Sequence, residues 1–119
     1  MRFFYEAKVD RIVDGDTVDF IIDLGFDVFH KARVRLHGVN TPETRTRDLE
    51  EKELGIAAKN YVYDWLAATD SVFIKTIKDG SGKYGRILGY VYSDQSMLKC
   101  LNDDIIDSGH GEPYYGGKR

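Results

Sequence analysis

The first 39 residues contain three runs in which apolar and polar side chains alternate, with only short polar breaks between them. Residues 3–13 alternate, the break "VDGDTV" follows, residues 17–24 alternate again, Leu24-Gly25-Phe26-Asp27 makes a turn, and a third run extends over about 28–39. Alternation with period two marks strands that bury one face. Breaks this short can join only antiparallel neighbours, so the chain opens as a three-stranded meander.

One helix and two more strands complete the pattern. In "GIAAKNYVYDWLAAT", Ala58, Tyr61, Val62, Trp65 and Leu66 recur at helical spacing, with Gly55 expected at the start. The charge-rich segment before it, "TRTRDLEEKE", is expected as an exposed, mobile loop. Residues 71–78 and 86–92 read as strands around the Gly- and Asp-rich turn "KDGSGKYG". "NDDIIDSG" predicts a short helix with Asn102 as N-cap, Asp103 and Asp104 at its positive end, and Gly109 at C′. Three strands, a helix, then two strands is the order of a β-rich α+β fold: a five-stranded Greek-key barrel (OB-fold) with two helices, the first plugging one barrel end. A length of 119 residues predicts a single domain, 1–119.

Composition narrows the function classes. A net charge of −3 disfavours a general duplex-coating protein but leaves room for a local basic groove. The single cysteine, Cys100, rules out an internal disulfide and fits a reducing compartment, and its neighbours Leu98 and Leu101 predict partial burial. The N-terminus lacks the apolar region of a signal peptide, and no apolar run reaches membrane-spanning length. The expectation is a cytoplasmic protein without a membrane partner, a monomer or weak dimer. His30, His37 and His110 show no metal-ligand spacing, and with one cysteine a structural zinc site is disfavoured.

The chemistry concentrates in three short segments. In "VDGDTV", Asp16 shares parity with Val18, Phe20 and Ile22, so it points inward at the barrel rim and needs a partner there, whereas Asp14 reads as a turn aspartate. In "VRLHGVNTPET", the third strand must end at Pro42, fixing Asn40, Thr41 and Glu43 at its mouth. These residues fit either a strand-ending turn or an oxygen-rich metal corner beside a general base. Arg33 and Arg35 share the outward parity, and each offers a guanidinium fork for a phosphate. "KYGR" places Lys83 and Arg86 around Tyr84, and near the C-terminus Tyr114 and Tyr115 suit either core packing or base stacking.

In this order and spacing the three segments resemble the active-site segments of the staphylococcal nuclease-like (thermonuclease) family, from about Lys8 onward. The resemblance implies an OB-fold and Ca²⁺-dependent hydrolysis of DNA and RNA, with Mg²⁺ or Mn²⁺ as alternative ions and a single strand as the expected substrate. By motif position Asp16, Asn40 and the Thr41 carbonyl would hold the metal, with Asp14 acting nearby through water. Glu43 would be the general base, Arg35 and Arg86 the phosphate-binding arginines, and Lys83, Tyr84, Tyr114 and Tyr115 the nucleotide-binding side chains. Two departures stand out. Asn40 occupies the place of a second aspartate, and the family's third helix has no counterpart after Tyr115. The alternative function is an OB-fold nucleic-acid-binding module with weakened catalysis.

Overall fold

The computed structural model describes residues 3–77 and 86–114. Five strands close a barrel: β1 (Phe4–Asp14), β2 (Thr17–Asp23), β3 (Phe29–Leu36), and two strands that follow a helix, β5 (Val72–Ile77) and β6 (Arg86–Tyr92). Around the barrel the order is β1-β2-β3-β6-β5, with β5 returning to β1. All pairs are antiparallel except β3 with β6, where Arg35 lies opposite Leu88 and Arg33 opposite Arg86. This is the five-stranded barrel with two helices expected from the order of elements.

The alternation seen in the sequence accounts for the core. Val18 and Phe20 are fully buried and Ile22 nearly so; Val34, Leu36, Ile74 and Val91 meet them across the barrel. Each such side chain contributes on the order of 1.5–3 kcal/mol relative to exposure. β1 carries register shifts between Val9 and Arg11 and between Ile12 and Asp14. Such bulges bend a strand and help a short sheet to close.

Helix α1 (Leu49–Ala67) packs against β1 and buries Ala58, Val62, Trp65 and Leu66, with Tyr61 packed partly buried against the same core. It starts six residues before the expected Gly55, so half of the segment predicted to be a mobile loop is helical. The reason is local. Asp48 accepts hydrogen bonds from the amides of Glu50 (3.0 Å) and Glu51 (3.3 Å), and those two glutamates sit in the positive first turn. Gly55 instead lies mid-helix, for a reason given below.

Two further expectations are corrected, and one strand is added. The run over 28–39 is two strands, because Gly38 takes a left-handed φ of 78° and turns the chain out of the barrel. The second piece, β4 (Gly38–Asn40), pairs with β7 (Glu112–Tyr114), a short strand that the sequence pattern does not announce. Helix α2 (Leu101–Asp107) has Cys100, not Asn102, at its N-cap position. Asn102 is buried as the second residue of the helix, where its amide donates to the carbonyls of His37 (2.9 Å) and Gly89 (3.0 Å) and its oxygen accepts from the Val91 amide (3.1 Å). Gly109 does take the C′ position with φ 87°, its amide and that of His110 bonding back to Ile106 and Ile105. Trp65 Nε1 donates to Asp104 Oδ2 at 2.7 Å and ties α1 to α2.

Candidate functional site

The site forms where the β1–β2 turn meets the chain leaving β3. Asp14 and Thr17 pair across a two-residue turn, Gly15-Asp16. A Cβ at Gly15 would sit 2.9 Å from Ala58 Cβ and 3.0 Å from Thr41 Oγ1, so only glycine lets this turn rest against both α1 and Thr41. Asp16 points inward, as its parity predicts, and is 7% exposed. Its carboxylate is not left alone. Oδ1 accepts from Thr17 Oγ1 (3.0 Å), Oδ2 accepts from the Thr41 amide (3.1 Å), and Arg35 Nη2 lies 3.7 Å from Oδ2. A buried carboxylate with a cation and two donors is the arrangement that offsets desolvation.

The two arginines of β3 separate in role. Arg33 is exposed and gives its fork to Asp19, with Nε to Oδ1 at 2.8 Å and Nη2 to Oδ2 at 3.2 Å. This bond holds the Asp19 carboxyl below its usual range and raises the guanidinium of Arg33. Arg35 has a side chain only 14% exposed. Its Nη1 donates to the Leu36 (2.9 Å) and Val39 (2.6 Å) carbonyls, and its Cζ lies 5.9 Å from the Tyr114 ring centre, within cation–π range. Arg35 is therefore the arginine that belongs to the Asp16 corner, held there by the backbone of the β3–β4 bend.

Asn40 and Thr41 lie next to this corner, Thr41 through its amide bond to Asp16. Asn40 Oδ1 and Thr41 Oγ1 are buried without a hydrogen-bond partner among the described residues. Both residues line a cleft of about 360 Å³, whose walls also include Pro42, Glu51, His110 and Glu112. Orphaned buried acceptors are uncommon and costly. Asp16, Asn40 and Thr41 offer oxygen donors only, the set that suits a hard cation such as Ca²⁺. Among the described residues no group of three His, Cys, Asp or Glu is assembled to hold a metal, so any cation here would rely on an amide, a carbonyl and water besides Asp16.

Glu43 follows, exposed between the half-buried Pro42 and Thr44. The carbonyls of Pro42 and Glu43 lie directly over Gly55 of α1, where a Cβ would come within 2.8 and 2.6 Å of them. That contact, rather than a helix cap, explains the glycine. Asp14 faces this same stretch, accepting a 2.6 Å hydrogen bond from Thr44 Oγ1. Sequence reasoning misses Thr44 and reads Gly55 as a helix start rather than as clearance for this stretch. A polar residue one step after the proposed base and a glycine inside a helical pattern were the signals available.

The structure thus brings together Asp14, Asp16, Arg35, Asn40, Thr41 and the segment bearing Glu43, with Tyr114 stacked on Arg35 from β7. The Arg86 backbone lies on the strand beside Arg35. Its side chain, and all of Lys83, Tyr84 and Tyr115, lie outside the described residues. No helix among the described residues is long and apolar enough to cross a membrane.

Comparison with known proteins points one way. The staphylococcal nuclease homologue family matches residues 33–115. The chain is 31% identical over 116 residues to endonuclease YhcR of Bacillus subtilis, covering 93% of this chain and 9% of that protein. It is 39% identical over 91 residues to the thermonuclease of Staphylococcus intermedius, covering 76% of this chain and 50% of the relative. It is also 27% identical to an uncharacterized protein, MJ1439, of Methanocaldococcus jannaschii, covering 92% of this chain and 59% of the relative. The chain therefore spans well under two thirds of each of these curated relatives.

Proposed function

This chain belongs to the staphylococcal nuclease homologue family, and from that premise we propose that it is a metal-dependent nuclease hydrolysing phosphodiester bonds of DNA, and of RNA as a second substrate. The observation that carries the proposal is the orphaned oxygen of Asn40 in the same corner as the buried Asp16 carboxylate and the Arg35 guanidinium. A corner kept for packing alone would satisfy its buried acceptors; one kept for a ligand leaves them for it.

Asp16, Asn40 and the Thr41 carbonyl would hold Ca²⁺. A divalent cation bound there would supply positive charge to a phosphate oxygen and to an attacking water. The remaining work belongs to side chains. A phosphodiester anion repels a water nucleophile, and Arg35 and Arg86 would counter that charge with forked donors, most strongly where it grows in the transition state. Arg35 is half prepared already, because two backbone carbonyls fix one end of its guanidinium. Glu43 would accept the proton of the attacking water. Tyr114, which packs on Arg35, would carry a nucleotide together with Lys83, Tyr84 and Tyr115.

One observation favours a second reading. Asn40 brings no formal charge to the corner, so a binding module with weakened catalysis is the competing function. Cleavage of a labelled single-stranded DNA, with Ca²⁺ and with chelator, alongside Glu43→Gln, separates the two. The nuclease reading expects chelator-sensitive cleavage that is lost in Glu43→Gln while DNA binding persists. Retained binding with no cleavage in Ca²⁺, Mg²⁺ or Mn²⁺ would establish the binding module instead.

A further inference from the structure

The segment Thr41-Pro42-Glu43-Thr44 is held from both ends by one two-residue turn. At one end the Thr41 amide donates to Asp16 Oδ2 at 3.1 Å; at the other the Thr44 hydroxyl donates to Asp14 Oδ1 at 2.6 Å. Asp14 and Asp16 flank Gly15, and Gly15 lies against Thr41. Between the two tethers, Pro42 restricts the backbone, and the carbonyls of Pro42 and Glu43 rest on Gly55. The stretch has no regular secondary structure of its own, so contacts to its neighbours set the course of its backbone.

We propose that Asp14 and Thr44 form a latch that positions Glu43, so that Asp14 serves as the anchor of the base-bearing loop rather than as a carboxylate acting on the cation through water. The proposal rests on the reading of Glu43 as general base. The physical argument is the charge-assisted bond. A hydroxyl–carboxylate contact of this length is among the stronger hydrogen bonds, and it is partly shielded from water. Thr44 is the next residue after Glu43, so loss of the bond frees the loop at its nearest fixed point. In this role Thr44 acts through Glu43, as a positioning residue.

The test compares Thr44→Val, Thr44→Ser and Asp14→Asn in the intact chain. Valine keeps the shape and removes the donor; serine keeps the donor; asparagine keeps an acceptor oxygen and removes the charge. The latch predicts that Thr44→Val lowers kcat about tenfold or more with KM and calorimetric Ca²⁺ affinity unchanged, and that Thr44→Ser restores most of it. It predicts that Asp14→Asn leaves Ca²⁺ affinity unchanged, and that Thr44→Val adds no further loss of kcat to Glu43→Gln. Amide hydrogen exchange over residues 43–48, which needs no activity, speeds up in Thr44→Val and not in Thr44→Ser. Unchanged exchange and kcat in Thr44→Val, failure of serine to restore them, or weakened Ca²⁺ binding in Asp14→Asn would each overturn the latch. A fully active Glu43→Gln would instead remove Glu43 from the chemistry, and with it the purpose of the latch, whatever the exchange data show.

Discussion

At Asn40 the consequence of one missing charge can be measured directly. An amide oxygen ligates a hard cation more weakly than a carboxylate does. The Asn40→Asp variant is expected to bind Ca²⁺ more tightly by titration calorimetry and to melt at a lower temperature in chelator, because two carboxylates then face one another without a cation between them. Equal Ca²⁺ affinity in the two proteins would take residue 40 out of the metal site. The arginines of β3 provide a matched pair. Arg35→Lys keeps a cation but loses the fork that spans the Leu36 and Val39 carbonyls and Asp16. Turnover is expected to fall by about tenfold or more. Arg33→Lys disturbs only an exposed pair with Asp19, and activity is expected to stay within about twofold. Similar kinetics for the two lysine variants would remove Arg35 from the mechanism.

Among the elements, α1 positions the site as well as closing the barrel. Alanine normally stabilises a helix over glycine by about 1 kcal/mol. At position 55 the expected sign is reversed, because the new Cβ would meet the Glu43 carbonyl oxygen at 2.6 Å and the backbone must shift. Gly55→Ala is expected to destabilise by about 1–3 kcal/mol in urea unfolding and to lower activity by displacing Glu43. A stabilised, fully active variant would show that the close approach is idle. The turn before α2 offers an independent check. Burial pushes the Cys100 thiol up, the backbone amide of Asp103 pulls the other way, and the Asp103 charge adds to the rise. A neutral thiol is therefore favoured in the fold. Its contribution is fully present below the ordinary thiol range and is lost as pH climbs through the raised value. Labelling with a thiol reagent is expected to be slow at neutral pH and to accelerate only above the ordinary thiol range; rapid labelling at pH 7 would contradict the burial.

Across the whole molecule the net charge of −3 leaves attraction of a polyanion to local cations. If Arg35 and Arg86 are the two phosphate contacts, binding of a single-stranded oligonucleotide should fall with salt at a log–log slope of about −1.4, from roughly −0.7 per phosphate. A slope several times steeper would reveal a larger basic track than the site provides. The far barrel end has a different character. The β2–β3 turn leaves Phe26 fully exposed at φ 54°, and an apolar hollow of about 510 Å³ is lined in part by Phe3, Leu24 and Ile77. Ile22 and Leu24 stand at the opposite end of β2 from Asp16, so this hollow is separate from the candidate site.

The sequence by itself determined the barrel, its inward residues and the inward aspartate, because period-two alternation is a local property that needs only chain geometry to read. It also placed the apolar stripe of α1 and the left-handed glycine after α2, both matters of spacing within a single turn of helix. Tertiary structure decided everything that depends on residues distant in sequence. Asn102 looked like a cap and proved to be a bridge, since its partners are His37 in the turn between β3 and β4 and Gly89 and Val91 of β6. Gly55 looked like a boundary and proved to be clearance for a loop twelve residues earlier. Arg33 and Arg35 had the same parity, and only packing gave one to Asp19 and the other to the Asp16 corner. Hydrogen-bond partners are chosen by where the backbone brings groups together, and a composition or a period does not carry that distance.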